Sequence, residues 1–479
     1  MNLTEIFPYV PFTDAGFQGL LPFMALGIGG TLALILAPMK NGALLSRLFA
    51  LITLIVSAIC IIQLDGTKEM IGGVLMMSTK TSALMLALHL VGVFAIFLLS
   101  GEEKKEALLP ESNALIVYAI CGMSMLVSSH HLLFQFIAIE IMSLAIYVLV
   151  AMRRTHRTSA EAGMKYFVLG GLASATFLYG AALLYGSTGF FTLPEIAAAP
   201  ASFLKTAGFC LVLGGLLFKV GAVPFHAWVP DVYEGASLPV TGFMAAAVKF
   251  AAFCVLANVA AAGLNASTSE AVTWILTIAA ALTMAWGNFA ALTQRGLKRL
   301  LAYSSIAHTG YLLVGVIAAG EGALSAGAPV ALYLLFYAFA TLGAFACLQA
   351  LAPASEDVPM DSLAGRGLTH PFLGLGLTVF LFGMAGIPMT AGFIGKYLVF
   401  GAGVHTGHVP LVVLGVLTSV AAMYYYLRIV VTLYMRPVEA TAPKPVLHWG
   451  AAVVTVLCLL TTLYYGIAPA RIIAYFETL

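Results

Sequence analysis

Apolar runs of about 20 residues recur along the chain and are separated by short polar loops. A helix needs about 20 apolar residues to cross the hydrocarbon core of a bilayer, so each run is a candidate transmembrane helix. Charged residues make up only 9% of the sequence, whereas soluble domains carry roughly 25%. The candidate spans begin near residues 17, 43, 81, 113, 132, 165, 206, 239, 270, 299, 328, 371, 409 and 449. The sequence therefore predicts an all-α polytopic membrane protein with about 14 transmembrane helices.

Lysine and arginine are concentrated in alternate loops. Of the 22 basic residues, 14 follow odd-numbered spans and only 4 follow even-numbered spans. Basic loops stay in the cytoplasm, so we expect an inner (plasma) membrane protein with both termini on the outer, periplasmic side. The residues predicted to be cytoplasmic are Lys40, Arg47, Lys104, Lys105, Arg153, Arg154, Arg157, Lys165, Arg295, Lys298, Arg299, Arg366, Arg436 and Lys444. Those predicted to be outside are Lys68, Lys80, Lys205 and Arg471.

Two lysines interrupt the apolar pattern of residues 214–250. Lys219 lies near the end of an apolar helix that Gly221 and Pro224 break, because proline removes a backbone donor and clashes with the preceding turn. Lys249 lies inside the apolar helix that follows. A lysine at bilayer depth costs roughly 3 kcal/mol on insertion scales. Snorkelling of the Lys219 side chain to the membrane surface is one interpretation. A titratable group on a proton or ion path is the one we favour.

A second broken helix occurs in the twelfth span, LFGMAGIPMTAGFIGKYLVF. Gly386 and Pro388 interrupt it, and Lys396 follows eight residues after the proline. Glycine and proline clusters at corresponding places in two halves of a chain indicate inverted repeats around a midplane ion site. We therefore predict two inverted five-helix repeats, each with a broken helix, near 214–230 and 380–400. The predicted units are an N-terminal three-helix segment (1–110), the first repeat (111–263), the second repeat (264–435) and a C-terminal helix (436–479).

One carboxylate lies in the middle of an apolar span. Glu140 belongs to HLLFQFIAIEIMSLAIYVLVAM, and Ser143 and Tyr147 share its helix face. A lone buried carboxylate is expected to be neutral or paired, because desolvation disfavours its charge. A neutral acid bonded to a neighbouring helix is one interpretation. Pairing with an intramembrane lysine is the one we favour.

Two histidines are further candidates. His308 lies near the middle of the tenth span in YSSIAHTGYLLVG, next to Ser304 and Ser305. A lone histidine on a helix is commonly a hydrogen-bonded core residue, but an ordinary pKa of about 6.5 also suits a proton relay. His226 lies in the polar and aromatic elbow after Pro224.

No sequence pattern indicates a cofactor in this chain. The six cysteines are isolated in apolar runs and form no CxxC or Cys/His ligand spacing, so zinc and iron–sulfur sites are not predicted. The chain also lacks a GxGxxG motif after a predicted strand and a GxxxxGK[ST] loop. We expect it to bind no nucleotide cofactor and no metal.

Long motifs carry a family resemblance from about residue 128 to residue 396. They are LLFKVGAVPFHAWVPD, PDVYEGASLPVTGF, GLKRLLAYSSIAHTGYLLVG and LFGMAGIPMTAGFIGKYLVF, together with Glu140 in the fifth span. With these motifs the chain resembles the antiporter-like proton-pumping subunits of respiratory complex I. That family also includes subunits of cation/proton antiporters and membrane-bound hydrogenases. A lysine at position 396 and the elbow PDVYEG are most similar to its subunit N branch.

The resemblance implies a function for each candidate residue. Glu140 and Lys219 would form an ion pair, and the lysine would release its proton when the carboxylate is drawn away and desolvation dominates. Lys249 would pass protons between the halves, His308 would bridge, Lys396 would face the exit, and His226 would serve cytoplasmic uptake.

The resemblance also implies partners and the cofactors that they hold. This chain would be a non-redox subunit of NADH:quinone oxidoreductase, with FMN, iron–sulfur clusters, NADH and quinone in partner subunits. The expected partners are other membrane-arm and peripheral-arm subunits, including neighbouring antiporter-like subunits, and the lipid bilayer, but no nucleic acid.

Two other functions compete with this one. A cation/proton antiporter subunit, or a subunit of a hydrogenase-type complex, would use the same lysines. A sodium site, however, is expected to be rich in carboxylates and carbonyls, and the spans hold only one mid-span carboxylate. A non-transporting scaffold would not be expected to keep four ionisable groups at high cost.

Overall fold

The computed structural model describes residues 14–64, 66, 69–70, 74–101, 109–153, 156–264, 269–322, 327–352, 358–437 and 446–478. Lys68, Lys104, Lys105, Arg154 and Lys444, which the orientation argument used, lie outside these described residues. The described part of the chain is almost entirely helical, apart from one short hairpin of β1 (Glu69–Met70) and β2 (Leu75–Met76).

One short 3₁₀ helix (Met360–Leu363) and nineteen α-helices make up this part of the chain. They are α1 (Asp14–Leu36), α2 (Gly42–Gln63), α3 (Thr79–Leu99), α4 (Ser112–Val127), α5 (Leu132–Ala151), α6 (Arg157–Thr188), α7 (Leu193–Ala198), α8 (Phe203–Val220), α9 (Trp228–Gly235), α10 (Leu238–Leu264), α11 (Ser269–Leu292), α12 (Leu297–Gly320), α13 (Ala328–Leu351), α14 (Arg366–Thr369), α15 (Pro371–Ala385), α16 (Ala391–His405), α17 (Val409–Met435), α18 (Trp449–Ile467) and α19 (Ala470–Thr478).

The predicted spans are confirmed. Twelve described helices are long and apolar enough to cross a membrane, and two further crossings are the 16-residue α4 and the broken pair α15–α16. Helix starts agree with the sequence to within three residues except for α6, which begins at Arg157 rather than near 165. Lys165, Arg47, Lys298 and Arg299 therefore lie within the N-terminal turns of helices rather than in loops.

Helices α10, α12 and α13 form the centre of the bundle, and their residues are almost all buried. Helix α10 packs on α12 and α8, and α13 packs on α15, α16 and α18. By contrast, α1, α2, α6, α11 and α17 expose apolar faces, as in Leu172 and Trp274. A polytopic helix with an apolar outer face is stable only where lipid or another protein covers it.

The first helix break follows α8. Gly221 adopts a positive φ of 74°, which glycine tolerates because it lacks a Cβ. The amide of Ala222 then donates to the Leu217 carbonyl at 2.9 Å, the bond that ends many helices at a glycine. The elbow that follows contains the two-turn helix α9, which the sequence did not predict.

The second break, between α15 and α16, repeats this local geometry. Gly386 has a φ of 85°, and the amide of Ile387 donates to the Phe382 carbonyl at 2.9 Å. Only residues 386–390 separate the two half-helices. The predicted breaks near 214–230 and 380–400 are therefore both present as non-helical backbone.

Candidate functional site

Lys219 occupies the last turn of α8, next to the first break, and is only 3% exposed. Its ammonium donates to Ser143 Oγ at 2.7 Å and to Tyr147 OH at 3.3 Å. It also lies 5.6 Å from the ring centre of Tyr166. Two hydroxyls and the faces of aromatic rings thus replace the water that a buried cation loses.

Glu140 lies on α5, three residues before Ser143, and is half-buried. Its Oε1 atom is buried and has no hydrogen-bond partner. The predicted direct ion pair with Lys219 is not present between these two described residues, because the ammonium is held one turn away by Ser143 and Tyr147. Glu140 and Ser143 share a helix face. The Glu140 carboxylate is therefore the next acceptor along α5 that the Lys219 ammonium could reach.

Lys249 follows a wide helical turn in α10, the π-helical segment Met244–Val248. Such turns are rare and occur often at functional sites. The ammonium of Lys249 donates to Ser305 Oγ at 2.5 Å and also to the Ser305 carbonyl. Tyr233 OH lies 3.4 Å from the same hydroxyl, and the Tyr337 ring centre lies 5.4 Å from the ammonium.

His308 lies at the centre of a cluster of tyrosines. Its Nδ1 is hydrogen-bonded to Tyr333 OH at 2.7 Å and its Nε2 to Tyr426 OH at 3.2 Å. Its ring also packs 4.8 Å from the ring centre of Tyr337 and 5.6 Å from that of Tyr311. Both ring nitrogens therefore face hydroxyls, which can donate or accept a proton.

Lys396 lies in α16, the second half of the broken helix, and is 6% exposed. Its ammonium donates to the Ala385 carbonyl at 2.9 Å and to Ser419 Oγ at 2.6 Å. Ala385 is the last residue of α15, where the partial negative charge of a helix C-terminus favours a cation. Lys396 also lies 4.9 Å from the ring centre of Tyr311.

These contacts bring three of the predicted residues into one array. The ring of Tyr337 lies against both Lys249 and His308, and the ring of Tyr311 lies against both His308 and Lys396. Lys219, with Ser143 and Tyr147, forms a separate cluster between α8 and α5, the helix that also carries Glu140. His226 joins neither cluster; it packs against Trp286 with ring centres 6.0 Å apart, and partial burial lowers its pKa, although the Pro224 carbonyl offsets part of this effect.

Several residues of the array were not singled out from the sequence. Tyr337 and Ser419 contact the lysines, and Tyr333 and Tyr426 contact His308. Thr309 donates to the Val220 carbonyl beside the first break. A hydroxyl side chain inside an apolar span could have indicated these residues. The chain has 19 tyrosines, however, and the sequence does not tell which of them lie beside a lysine or His308.

A charged cluster around Asp231 on α9 was also not predicted from the sequence. Asp231 accepts from Lys165 at 2.8 Å and from Arg299 at 2.9 Å, and Arg299 also contacts Glu234 at 2.7 Å. Partial burial works against ionisation of Asp231, but the hydrogen bonds from Lys165 and Arg299 hold its pKa below the ordinary value. The cluster ties α9 to α6 and α12 at the end of the bundle that carries the arginines.

Comparisons with known proteins agree with this arrangement. The family model described as "NADH:quinone oxidoreductase/Mrp antiporter, TM" matches residues 129–422. An NADH-quinone oxidoreductase subunit N from Myxococcus xanthus is 35% identical over 97% of both chains. One from Mycobacterium tuberculosis is 42% identical over 78% of this chain and 71% of its own.

A solved structure shows the same fold. A chain in respiratory complex I from Thermus thermophilus superposes with a TM-score of 0.81 at 34% identity, covering 95% of this chain and 98% of its own. The resemblance drawn from the broken helices and their lysines is thereby confirmed. The chain belongs to the NADH-quinone oxidoreductase subunit N family of antiporter-like membrane proteins.

Proposed function

We propose that this chain is a proton-translocating membrane-arm subunit of NADH-quinone oxidoreductase. The observation that carries the proposal is the buried array of Lys249, His308 and Lys396, linked by tyrosine rings across the centre of the bundle. Each lysine is solvated by hydroxyls that can pass a proton, not by a carboxylate that would fix the charge.

Lys219 and Glu140 are the proposed loading pair. Burial makes the ammonium form costly, so a small change in local field decides whether the proton stays. The contacts of the Lys219 ammonium with Ser143 and Tyr147, and the buried Glu140 Oε1 without a hydrogen bond, support a pair that can separate. A short rotation of the lysine side chain toward Glu140 would restore the charged pair.

Lys249, His308 and Lys396 are the proposed transfer groups. Ser305 holds Lys249 and lies three residues before His308 on α12, so the two share one helix face. His308 then faces Tyr333 and Tyr426, and the Tyr311 ring leads on to Lys396. His226, at the elbow, is proposed only as a cytoplasmic uptake group.

Assembly and energy supply are part of the proposal. FMN, iron–sulfur clusters, NADH and quinone would lie in partner subunits, which makes this chain a non-redox subunit of the translocase. Among the described residues, no group of three or more His, Cys, Asp or Glu side chains could hold a metal ion. The segments 1–110, 111–263, 264–435 and 436–479 would form the N-terminal helices, the two inverted repeats and the C-terminal helix, in the inner membrane with both termini outside.

The test is proton uptake into sealed membrane vesicles, normalised to assembled complex. Lys219→Ala and Glu140→Ala should each reduce uptake strongly. Lys396→Arg should assemble but lose uptake, because arginine keeps the charge and cannot release a proton. Lys205→Ala is the matched control: Lys205 is also buried, but among the described residues its ammonium donates to the Ala197 and Ala199 carbonyls at the end of α7. Wild-type uptake by Lys219→Ala and Lys396→Arg would show that these lysines carry no protons.

The alternative function, a subunit of a cation/proton antiporter, is favoured only by the breadth of the matching family, which includes Mrp antiporters. Proton uptake by the same vesicles distinguishes the two functions. Uptake that persists in sodium-free buffer supports the proton translocase, whereas uptake that requires sodium supports the antiporter.

A further inference from the structure

Two stacked aromatic side chains, which we call the aromatic pair, lie beside the Lys219 ammonium. Tyr166 on α6 and Trp228, the first residue of α9, have ring centres 4.4 Å apart and ring planes only 11° apart. Both residues are almost fully buried, with exposures of 1% and 4%. The Tyr166 ring centre is in turn 5.6 Å from the Lys219 ammonium. Water that approaches Lys219 from the far side of Tyr166 therefore meets the aromatic pair first.

A charged cavity of about 240 Å³ lies between α6, α9 and α12. Its lining includes five charged side chains, those of Glu161, Lys165, Asp231, Glu234 and Arg299. Three of them are carboxylates and two are cations, so the lining carries a net negative charge. Because a cleft lined by an excess of one sign of charge concentrates ions of the opposite sign, this cavity favours hydronium over anions.

The aromatic pair closes the deep side of the charged cavity. Ala162 lines the cavity, and Tyr166 follows it by four residues on α6. Asp231 also lines the cavity, and Trp228 precedes it by three residues on α9. Residues three or four apart share a helix face. The two helices run in opposite directions here, because Gly235, the last residue of α9, packs on Ala162 near the start of α6. Both rings therefore lie one turn further into the bundle than the cavity, between it and the buried ammonium.

We propose that the aromatic pair is a gate through which protons from the charged cavity reach Lys219. The inference rests on the proposed proton-translocating function and adds the entrance and the residues that control it. Lys219 remains the first group of the relay, and Lys249, His308 and Lys396 follow it in the proposed order.

Trp228 is the movable half of the gate. Tyr166 belongs to the 32-residue helix α6, whereas Trp228 begins the eight-residue helix α9 directly after the non-helical elbow. The Trp228 indole donates to the Phe218 carbonyl at 2.9 Å, which fastens it to the end of α8 when the gate is closed. His226 lies in the same elbow, two residues before Trp228, so the entrance includes the residue to which uptake is assigned.

The charge of Lys219 holds the gate closed. Its ammonium donates to Tyr147 OH at 3.3 Å and lies 5.4 and 5.6 Å from the ring centres of Tyr147 and Tyr166. Tyr147 packs edge-on against Tyr166, with ring centres 4.8 Å apart. A neutral amine loses the cation–π attraction and the charge-assisted hydrogen bond. The gate is therefore loosened after Lys219 has passed its proton on, and it opens toward an empty acceptor.

A hydronium ion from the charged cavity gives one proton to the neutral Lys219 amine when the gate is open. The amine becomes ammonium, and the hydronium becomes water. The new charge restores the attraction to the two tyrosine rings, so the gate closes behind the proton.

Chemical modification of the charged cavity in the assembled complex tests the entrance. Thr158→Cys places a thiol in the lining, and Ala160→Cys, the matched control, places one at an exposed position of α6 two residues away. Inverted membrane vesicles, whose cytoplasmic face is outward, are treated with a bulky membrane-impermeant thiol reagent. Modification should lower proton uptake by Thr158→Cys about fivefold or more, because a plug that excludes water blocks passage. Modified Ala160→Cys and the treated parent protein should keep their uptake.

Reactivity behind the aromatic pair tests the gate itself. Ser143→Cys places a thiol where the Ser143 hydroxyl contacts Lys219, and this thiol should be protected from a small cationic thiol reagent while the gate is closed. An open minor state is populated only about 0.1–10% of the time, so removal of the indole in Trp228→Ala should raise the reaction rate about tenfold or more. Trp228→Phe keeps a ring but loses the donor to the Phe218 carbonyl. It should raise the rate less, and it replaces Trp228→Ala if that variant does not assemble.

Each half of the proposal has its own contrary result. Normal uptake after complete modification of Thr158→Cys, or an equal loss in Ala160→Cys, overturns the entrance. A reaction rate of Ser143→Cys that neither Trp228 variant changes overturns the gate. Loss of uptake in Lys219→Ala together with normal uptake in modified Thr158→Cys would reject the entrance and leave the proposed function standing.

Discussion

The two broken helices begin with the same glycine geometry but use their lysines in opposite ways. Lys219 precedes the first break and reaches sideways to Ser143 on α5. Lys396 follows the second break and reaches back to the Ala385 carbonyl, which the break itself has freed. The first lysine is thus held by a neighbouring helix, and the second is part of its own break.

The carbonyls freed at the first break are satisfied by other groups. The Trp228 indole donates to the Phe218 carbonyl at 2.9 Å, and Thr309 Oγ1 donates to the Val220 carbonyl at 2.8 Å. A buried carbonyl without a partner is costly in a membrane protein. Because the first break does not depend on its lysine, Lys219 can change partners, whereas moving Lys396 leaves a carbonyl unpaired.

The largest effect should come from the tight packing of the second break. A Cβ at Gly392 would lie 1.9 Å from the Gly383 carbonyl oxygen, a backbone atom that cannot move aside. Gly392→Ala should therefore remove several kcal/mol of stability, at the upper end for single substitutions, and the amount of assembled protein should fall sharply. Gly171→Ala, where a Cβ meets nothing within 4 Å, is the control. Normal assembly of Gly392→Ala would show that the half-helices are not packed as described.

The next largest effect is a difference in stability between the variants Lys396→Ala and Lys219→Ala. Lys396→Ala removes the ammonium that donates to Ala385, so the thermal midpoint of the solubilised complex should fall by the equivalent of about 1–3 kcal/mol. Lys219→Ala should lower the midpoint less, because the lost partners are hydroxyls, and Ser143 still donates to the Ile139 carbonyl. Proton uptake should be lost in both variants. Equal loss of stability would remove the distinction between the breaks.

A smaller effect concerns the threonines beside the breaks. Thr309→Val removes the donor to the Val220 carbonyl from another helix and should cost about 1–2 kcal/mol. Thr390→Val removes only a local bond to the Ile387 carbonyl, three residues back, and should cost about 0.5–1 kcal/mol. Thermal unfolding of both variants gives the comparison. A larger loss for Thr390→Val would mean that the second break, not the first, depends on side-chain donors.

The smallest effect is the pH dependence of the elbow beside the first break. Asp231 has a lowered pKa because Lys165 and Arg299 outweigh its partial burial. The ionised Asp231 side chain therefore contributes to the free energy of unfolding above the ordinary carboxyl pKa of about 3.9. This contribution is lost as the pH falls through the lower pKa of the folded state. Since the Asp231, Lys165 and Arg299 side chains are each about one-third exposed or more, solvent screens the interaction and its contribution to the free energy of unfolding should stay below about 1 kcal/mol. The difference in thermal midpoint between the parent and Asp231→Asn should shrink as the pH is lowered from about 5 to 3, and a constant difference would contradict the assignment.

The sequence by itself determined the fourteen crossings and both breaks. The bilayer sets one length for every span, so a run of apolar residues fixes where a helix must be. Gly221 and Gly386 mark the breaks because a positive φ is accessible mainly to glycine. Lys219, Lys249 and Lys396 stood out as candidates because a charge in such a run is expensive whatever its surroundings.

Only the tertiary structure decided what each charge meets. Ser305, Tyr337 and Ser419 lie 56, 88 and 23 residues from the lysines they contact, and no local pattern encodes such pairings. The same holds for Lys219, whose ammonium contacts Ser143, one turn along α5 from Glu140, rather than Glu140 itself. Hydropathy fixes the depth of a helix, but its rotation about its own axis follows from side-chain packing over the whole bundle.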